Sequence, residues 1–275
     1  MNEKFYLGTY TKRVSKGVYS VTLNKETDQL ESLTLEAAID NPTYLSYSKS
    51  DQLLFAVGKG EEHCGISASN ALTSPVEPLA SYDDQKAVPC YIRYNEKTGD
   101  VLTANYHGGF VELYHYDKED GAFTFVDKKV HSGSSVHANQ ASPHVHYTDF
   151  TPDEQWIVVC DLGIDTVFTY KRTEKGLEEV AQYKTKAGSG PRHLAFHPTL
   201  PIAYLICELD ATVEVLSYNQ ENGTFTNLDK IALTTEDQQA WGGAIHITRD
   251  GRFLYASNRG FDALYTFSVD AKSGL

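Results

Sequence analysis

The sequence lacks long hydrophobic runs, an excess of basic residues and closely spaced cysteines. No apolar stretch approaches the roughly 18 residues that a membrane-spanning helix needs. The formal net charge of −13 argues against nucleic acid or an anionic membrane surface as a partner. The four cysteines show no CxxC spacing, and a first strand that begins at residue 4 leaves no room for a signal peptide. We therefore expect reduced thiols and a cytoplasmic protein.

What the sequence does have is a repeat of short apolar and aromatic strands. The copies begin at Pro42, Pro89, Pro143, Pro191 and Gly243, and they lie 47 to 54 residues apart. A period of about 50 residues that is built from strands is typical of a propeller or a solenoid. Each copy contains four short strands with alternating apolar residues, and no helical periodicity of useful length is present. The sequence therefore predicts an all-β propeller of four-stranded blades, with residues 1–275 forming a single domain.

The two ends of the chain depart from the four-strand pattern. Residues 5–36 supply only the second, third and fourth strands of a blade, and residues 270–275 match a turn that elsewhere leads into a fourth strand. Propellers usually close when the C-terminus supplies the strand that the N-terminal blade lacks. We therefore expect a chain that lacks about one C-terminal blade. The alternative is a six-bladed variant with an unusual closure.

A glycine and four polar residues follow the second strand of successive copies, at what the repeat predicts to be equivalent places near one mouth of a channel. They are Gly58, Asn105, Asp161, Glu208 and Asn258, each followed closely by Lys59, His107, Asp165, Asp210 or Arg259. The inner strands add His144, His146, Arg192, His193 and His246. Strand alternation puts His144 and His146 on one face. Imidazoles, guanidiniums and carboxylates that converge in this way suit acid–base chemistry on an anionic ester or lactone.

Each of these groups also has a structural interpretation. The two histidines of the HxH pair could bind a metal, although the sequence offers no clear third ligand. Asp161 and Asn258 could cap loop amides, Glu208 could form an ion pair with Arg192, and the Gly-Gly after His107 could simply form a turn. The sequence contains no glycine-rich phosphate loop, GxSxG elbow or Cys–His nucleophile signature. Covalent catalysis therefore has little support.

Seven segments, in order and at blade spacing, resemble one known family. They are Gly8-Thr-Tyr-Thr, Asn41-Pro-Thr-Tyr-Leu, Ser142-Pro-His-Val-His-Tyr, Asp161-Leu-Gly-Ile-Asp, Gly188-Ser-Gly-Pro-Arg-His-Leu, Cys207-Glu-Leu and Tyr255-Ala-Ser-Asn-Arg-Gly. Together they resemble the lactonase family of seven-bladed propellers, which includes propeller-type 6-phosphogluconolactonases and carboxymuconate cyclases. The resemblance implies metal-independent chemistry without a cofactor in a central cleft. Where family members often carry a Gln-Glu pair, this sequence reads Gln140-Ala141.

The resemblance also implies which residues act. The catalytic candidates are His144 or His146, Arg192, Glu208 and Arg259, and the expected substrate contacts are His107, Asn105, His193 and Asp161. The expected reaction is hydrolysis of a small anionic sugar lactone, 6-phosphoglucono-1,5-lactone, to 6-phosphogluconate. The arginines would stabilise the oxyanion and a histidine would act as general base. The alternatives are a lactone-forming cyclase, a lactonase for another sugar acid, and a non-catalytic propeller that binds a metabolite or a protein.

Overall fold

Almost all of the regular structure in the chain is β-strand. The structure, a computed structural model, describes residues 2–60, 64–234 and 240–275. These residues form 22 strands and two short 3-10 helices, and no helix among them is long and apolar enough to cross a membrane. The chain divides into two compact units, Met1–Asn105 with Glu112–Asp127 and Tyr106–Val111 with Lys128–Leu275.

The first unit contains two sheets and most of a third. The sheets are β1 (Glu3–Leu7), β2 (Val18–Asn24) and β3 (Gln29–Ala37); β4 (Leu45–Ser48), β5 (Leu53–Lys59), β6 (Cys64–Asn70) and β7 (Glu77–Gln85); and β8 (Tyr91–Tyr94), β9 (Asp100–Asn105), β10 (Phe110–Asp117) and β11 (Ala122–Val130). The boundary between the units falls within β10 and β11. In the core of the first unit, the ring of Phe55 stacks on Tyr94 at 4.3 Å between centroids and meets Tyr116 edge-on at 5.2 Å. Aromatic residues at alternate strand positions therefore fill this core.

The second unit contains three sheets. They are β12 (Val145–Phe150), β13 (Ile157–Asp161), β14 (Thr166–Thr173) and β15 (Gly176–Lys184); β16 (Pro191–Phe196), β17 (Ile202–Cys207), β18 (Thr212–Asn219) and β19 (Thr224–Ala232); and β20 (Trp241–Ile247), β21 (Phe253–Arg259) and β22 (Ala263–Ser268). The helix η1 (Ala138–Gln140) precedes β12, and η2 (Leu162–Ile164) follows β13. Buried aliphatic residues of β17, β18 and β20, such as Ile206, Val213 and Ile245, form one core cluster.

Each of the six sheets has the strand order of a propeller blade, because neighbouring strands pair in chain order. The predicted all-β blade repeat is thus confirmed. Among the described residues, the first sheet holds three strands, as the pattern over residues 5–36 predicted, and the last sheet also holds three. That residues 1–275 form one domain remains a prediction.

An irregularity recurs in the first strand of every blade of the second unit. The register shifts at His146 in β12, at Arg192 in β16 and at Gly243-Ala244 in β20. A β-bulge leaves the extra residue without a ladder partner and redirects its side chain, and bulges are frequent beside active sites. His146 and Arg192 therefore occupy the same bulge position in two successive blades.

Candidate active site

A residue in the left-handed conformation closes the loop between the second and third strands of four blades. These residues are Gly109, Asp165, Ala211 and Asp262, with φ of 62°, 54°, 48° and 51°. These left-handed residues allow the four blades to be aligned residue by residue. Four positions before them stand Asn105, Asp161, Cys207 and Asn258, which we call the first set. Three positions before them stand Tyr106, Leu162, Glu208 and Arg259, which we call the second set. The prediction that Glu208 is equivalent to Asp161 and Asn258 is therefore wrong by one residue, because its apolar run ends one position later in the blade.

The polar residues of the first set are buried and bind protein groups. Asp161 is 0% exposed, and its Oδ1 accepts hydrogen bonds from the backbone N–H groups of His144 at 2.7 Å and Gly163 at 3.0 Å. Asn105 donates to Gln85 Oε1 at 2.8 Å within the first unit. The placement of Asp161 and Asn105 supports a structural role, as loop-binding groups, and does not fit the predicted substrate contacts.

Asn258 belongs to the same buried set. Its Oδ1 accepts from the N–H of Trp241 at 3.2 Å, and its Nδ2 donates to the carbonyl of Leu233 at 3.1 Å. The alternative interpretation of this residue, a group that caps loop backbone, therefore describes its contacts. The polar side chains of the second set have different partners.

Glu208, from the second set, lies between two arginines. Its Oε2 accepts from Arg192 Nε at 2.8 Å and lies 2.7 Å from Arg259 Nη2. The side chains of Glu208 and Arg192 are 14% and 15% exposed, whereas that of Arg259 is 50% exposed. One carboxylate thus holds two guanidiniums that come from different blades, one nearly buried and one open to solvent. The ion pair that the sequence left as an alternative is present, and a second arginine joins it.

The bulged strand β20 also binds the same two arginines. Arg192 Nη1 donates to the carbonyl of Gly243 at 2.9 Å, and Arg259 Nη2 donates to the carbonyl of Gly242 at 3.0 Å. A side chain at Gly242 would place its Cβ 2.3 Å from the carbonyl oxygen of Cys207. Glycine at that position therefore lets the backbone of β20 come close enough to bind the guanidiniums.

Two histidines beside Arg192 are held in their neutral form. Burial, followed by the nearby charge of Arg192, keeps the pKa of both His146 and His193 well below the ordinary value. The two rings lie 5.2 Å apart, and Arg192 Nη1 lies 3.3 Å from His193 Nε2. Because a guanidinium can only donate, His193 Nε2 is an acceptor. The site therefore combines fixed positive charge with neutral imidazoles.

His144 precedes β12 and has a defined tautomer. Its Nδ1 lies 2.9 Å from the carbonyl oxygen of Tyr106, and the two rings stack at 4.2 Å with an angle of 8° between their planes. A carbonyl oxygen only accepts, so Nδ1 carries a proton, and Nε2 is the ring nitrogen that this hydrogen bond leaves available. The ring of Tyr106 also lies 5.6 Å from His146 and 5.3 Å from the exposed His107. Tyr106 thus connects three of the predicted histidines.

The structure brings all five predicted catalytic residues into one cluster of the second unit, which we call the Arg–His cluster. Its members are Tyr106, His144, His146, Arg192, His193, Glu208 and Arg259. Two arginines and one carboxylate leave it with a net positive charge in a chain whose formal net charge is −13, so the cluster suits an anionic ligand. Within the described ranges, no group of three or more His, Cys, Asp or Glu side chains could hold a metal ion.

Sequence reasoning missed three features of this cluster. Tyr106 was overlooked between Asn105 and His107, although the blade alignment places it level with Glu208. The backbone carbonyls of β20 carry no sequence signal beyond the Gly-Gly pair at 242 and 243. The bulges at His146 and Arg192 interrupt the regular alternation of side chains that was predicted for the inner strands.

Comparison with known proteins gives the family of this fold. Residues 4–275 match the family described as Lactonase, 7-bladed beta-propeller. The chain belongs to this family. It is 36% identical to the 6-phosphogluconolactonase of Bacillus subtilis over 277 residues, which cover 98% of this chain and 78% of that protein. The predicted resemblance is thus confirmed.

Two solved structures are similar along the whole chain. A Lactobacillus plantarum protein has a TM-score of 0.93 and 37% identity, over 98% of this chain and 80% of its own. The periplasmic gluconolactonase of Pseudomonas aeruginosa has a TM-score of 0.93 and 29% identity, over 100% of this chain and 81% of its own. The Arg–His cluster therefore belongs to a propeller of the lactonase family.

Proposed function

We propose that this protein hydrolyses 6-phosphoglucono-1,5-lactone to 6-phosphogluconate in the Arg–His cluster. The observation that carries the proposal is the carboxylate of Glu208, which binds Arg192 at 2.8 Å and Arg259 at 2.7 Å beside two histidines held neutral. Family membership and the name of the Bacillus subtilis relative support the same reaction class.

In the proposed mechanism, His144 is the general base. Its Nδ1–H is bound to the carbonyl of Tyr106, which leaves Nε2 to accept a proton from the attacking water. A third group that fixes the tautomer of a base is a common arrangement in hydrolases. His146, whose low pKa makes it a poor base, would contact the substrate as a neutral hydrogen-bonding group. Water adds to the lactone carbonyl and gives a proton to His144. The ring C–O bond then breaks, and the ring oxygen takes up that proton from His144 and leaves as a hydroxyl.

The arginines have distinct proposed roles. Arg192 is nearly buried and held by Glu208 and the carbonyl of Gly243, so its guanidinium is preorganised to stabilise the oxyanion. Arg259 is half-exposed and would bind the anionic substituent of the substrate. Glu208 fixes the positions of both, while the exposed His107 and the buried His193 would contact other oxygens of the sugar.

The substrate assignment can be tested with a panel of lactones. The phosphorylated lactone, generated fresh, and unphosphorylated glucono-1,5-lactone are compared at several protein concentrations against spontaneous hydrolysis. We expect a rate proportional to protein and a preference for the phosphorylated compound. Equal rates for the two would support the second candidate, a lactonase for another sugar acid, which the similarity to a gluconolactonase favours. The absence of any rate above background on either lactone would contradict the proposal.

We also propose that the protein acts in the cytoplasm. All four cysteines are free thiols, and burial raises the pKa of the Cys160 and Cys207 thiols well above the ordinary value. Reduced, unreactive cysteines fit a reducing compartment. Detection of the protein in a periplasmic fraction, where the Pseudomonas aeruginosa relative is named to act, would contradict this assignment.

A further inference from the structure

Three buried polar side chains form a chain of hydrogen bonds behind His144. His131 Nδ1 lies 2.6 Å from Asp161 Oδ2, and His131 Nε2 lies 2.9 Å from the Tyr170 hydroxyl. The side chains of His131 and Asp161 are 3% and 0% exposed, so both are buried. Tyr170 is likewise buried.

The direction of the first hydrogen bond follows from its acceptor. The carboxylate of Asp161 accepts, so His131 donates from Nδ1, and the second ring nitrogen, Nε2, is bound to the Tyr170 hydroxyl. A carboxyl group that is wholly removed from water is costly unless all its hydrogen bonds are satisfied. His131 and Tyr170 therefore compensate the burial of Asp161.

The second oxygen of Asp161 binds the backbone at His144. Asp161 Oδ1 accepts from the N–H of His144 at 2.7 Å, and the carbonyl of His144 accepts from the N–H of Leu162 at 3.0 Å. Both backbone groups of His144 are thus fixed by the end of β13, and its ring is fixed by Tyr106. Movement of Asp161 would move the backbone of His144 and, with it, the imidazole.

The next blade shows that the fold does not need this arrangement. At the positions equivalent to Asp161, Tyr170 and His131, it has Cys207, Leu216 and Thr185, and strand pairing continues without interruption. The residue equivalent to His144 there is Gly190, which has no side chain to orient. Apolar or weakly polar residues in a core are at least as stabilising as a buried charged network. The hydrogen bonds among Asp161, His131 and Tyr170 therefore occur in the blade that carries the proposed base. A gain in stability does not account for them.

We propose that Asp161, His131 and Tyr170 are positioning residues for His144. Asp161 holds the backbone of His144 so that its Nε2 points to the reacting water, and the two residues behind Asp161 hold that carboxylate in place. The part of this inference that concerns the reaction rate rests on the proposed function, whereas the part that concerns the position of His144 does not.

The test uses two variants that each remove one buried hydroxyl. Tyr170→Phe deletes the end of the polar chain. Tyr218→Phe is the matched control, because the Tyr218 hydroxyl binds the Asp153 carboxylate at 3.0 Å from an equally buried strand position outside the cluster. Backbone amide resonances of His144 and Gly163, recorded by NMR on the whole protein, report the position of His144 without any substrate. Steady-state kinetics with the lactone reports kcat and KM separately.

We expect Tyr170→Phe to shift the amide resonances of His144 and Gly163 and to lower kcat about threefold to tenfold with KM nearly unchanged, the range expected for loss of one hydrogen bond. Tyr218→Phe should change neither.

Asp161→Ala should lower kcat further, and Asp161→Asn, which keeps an oxygen for the His144 N–H, should restore most of the loss. Unmoved resonances in Tyr170→Phe, or equal effects of Tyr170→Phe and Tyr218→Phe, would overturn the proposal. If the wild-type protein hydrolyses no lactone, the proposed function is wrong. The amide resonances alone then test whether these residues position His144.

Discussion

Two successive blades, β12–β15 and β16–β19, use one backbone plan for different purposes. Both have a bulge in the first strand and a left-handed residue in the loop after the second. The first blade carries His146 at the bulge and a buried carboxylate, Asp161, that holds the neighbouring backbone. The second carries Arg192 at the bulge and places its carboxylate one residue later, at Glu208, where it faces the cluster. A shift of one position thus converts a structural acid into a charged group of the site.

The comparison also explains the division of proposed roles. A carboxylate with no exposed surface, such as Asp161, binds backbone N–H groups and a histidine. A carboxylate at the edge of the cluster, such as Glu208, binds two guanidiniums, that of the nearly buried Arg192 and that of the half-exposed Arg259. The backbone is common to both blades, and the chemistry follows from which of two adjacent positions carries the acid.

The largest expected effect comes from moving the acid of the first blade into the second. Cys207→Asp would bury a carboxylate at a site where the structure supplies Thr185 and Leu216 in place of His131 and Tyr170. We expect a loss of about 3–5 kcal/mol in the free energy of unfolding at neutral pH, measured by urea denaturation. The loss should shrink at low pH, where the carboxyl group is neutral.

Cys207→Ala is the matched control for this change, because it removes the thiol without adding charge. We expect it to cost about 1 kcal/mol. Equal unfolding free energies for the two variants would show that position 207 accepts a carboxylate, and the contrast between the blades would then be wrong.

A smaller effect is expected from neutralising the acid at the edge of the cluster. Glu208→Gln keeps the shape of the side chain but removes the charge that holds Arg192 and Arg259. We expect kcat/KM for the lactone to fall about tenfold to hundredfold, in line with charge-assisted hydrogen bonds worth about 1.5–3 kcal/mol. In the same blade, Glu214→Gln removes a buried acid that binds Tyr183, and it should affect stability but not kcat/KM. Similar losses of activity in both variants would contradict the role of Glu208.

The smallest expected effect of a single substitution is on the pH dependence of stability, to which the neutral histidines contribute. Burial, the first cause in each case, lowers the pKa of His146, His193 and His197 below the ordinary 6.5. The unfolded chain then binds more protons than the folded chain below pH 6.5, so stability is complete above that pH and falls as the pH decreases. Each histidine contributes up to about 1.4 kcal/mol per pH unit.

This pH dependence can be measured by thermal or urea unfolding between pH 5 and pH 7.5. His193→Gln should flatten the curve in that range, whereas Arg252→Ala, which removes an exposed arginine paired with Asp250, should leave its slope unchanged. The same slope in His193→Gln as in the wild-type protein would mean that His193 is not held neutral by folding.

The repeat was sufficient to predict the blades, and the reason is visible in particular segments. Apolar runs such as Ala203-Tyr-Leu-Ile-Cys recur with similar turns, and each became a buried strand of an antiparallel sheet. The spacing of the repeats and the tight-turn residues between strands fix which strands neighbour each other. The blade architecture could therefore be predicted from the sequence alone.

The details of the site could be predicted only in part. Arg192, Glu208 and Arg259 were identified, but Glu208 was aligned with Asp161, because the polar residue that ends an apolar run was taken as the common landmark. The better landmark is the left-handed residue, which is aspartate at 165 and alanine at 211, and alanine gives no local signal of that conformation. His131 was overlooked because it lies between β11 and β12, outside the strand pattern of the repeat, and it is 30 residues from Asp161 in the sequence.

The most direct test of the central claim is the kcat/KM of Arg192→Ala for hydrolysis of 6-phosphoglucono-1,5-lactone, with Arg252→Ala as control. Arg192 is held at the bulge of β16 by Glu208 and by the carbonyl of Gly243. Loss of one preorganised donor to an oxyanion typically lowers the rate by about 10²–10³. We predict a fall of that size in Arg192→Ala and wild-type activity in Arg252→Ala. Activity of Arg192→Ala equal to that of the control would contradict the assignment of the reaction to this cluster.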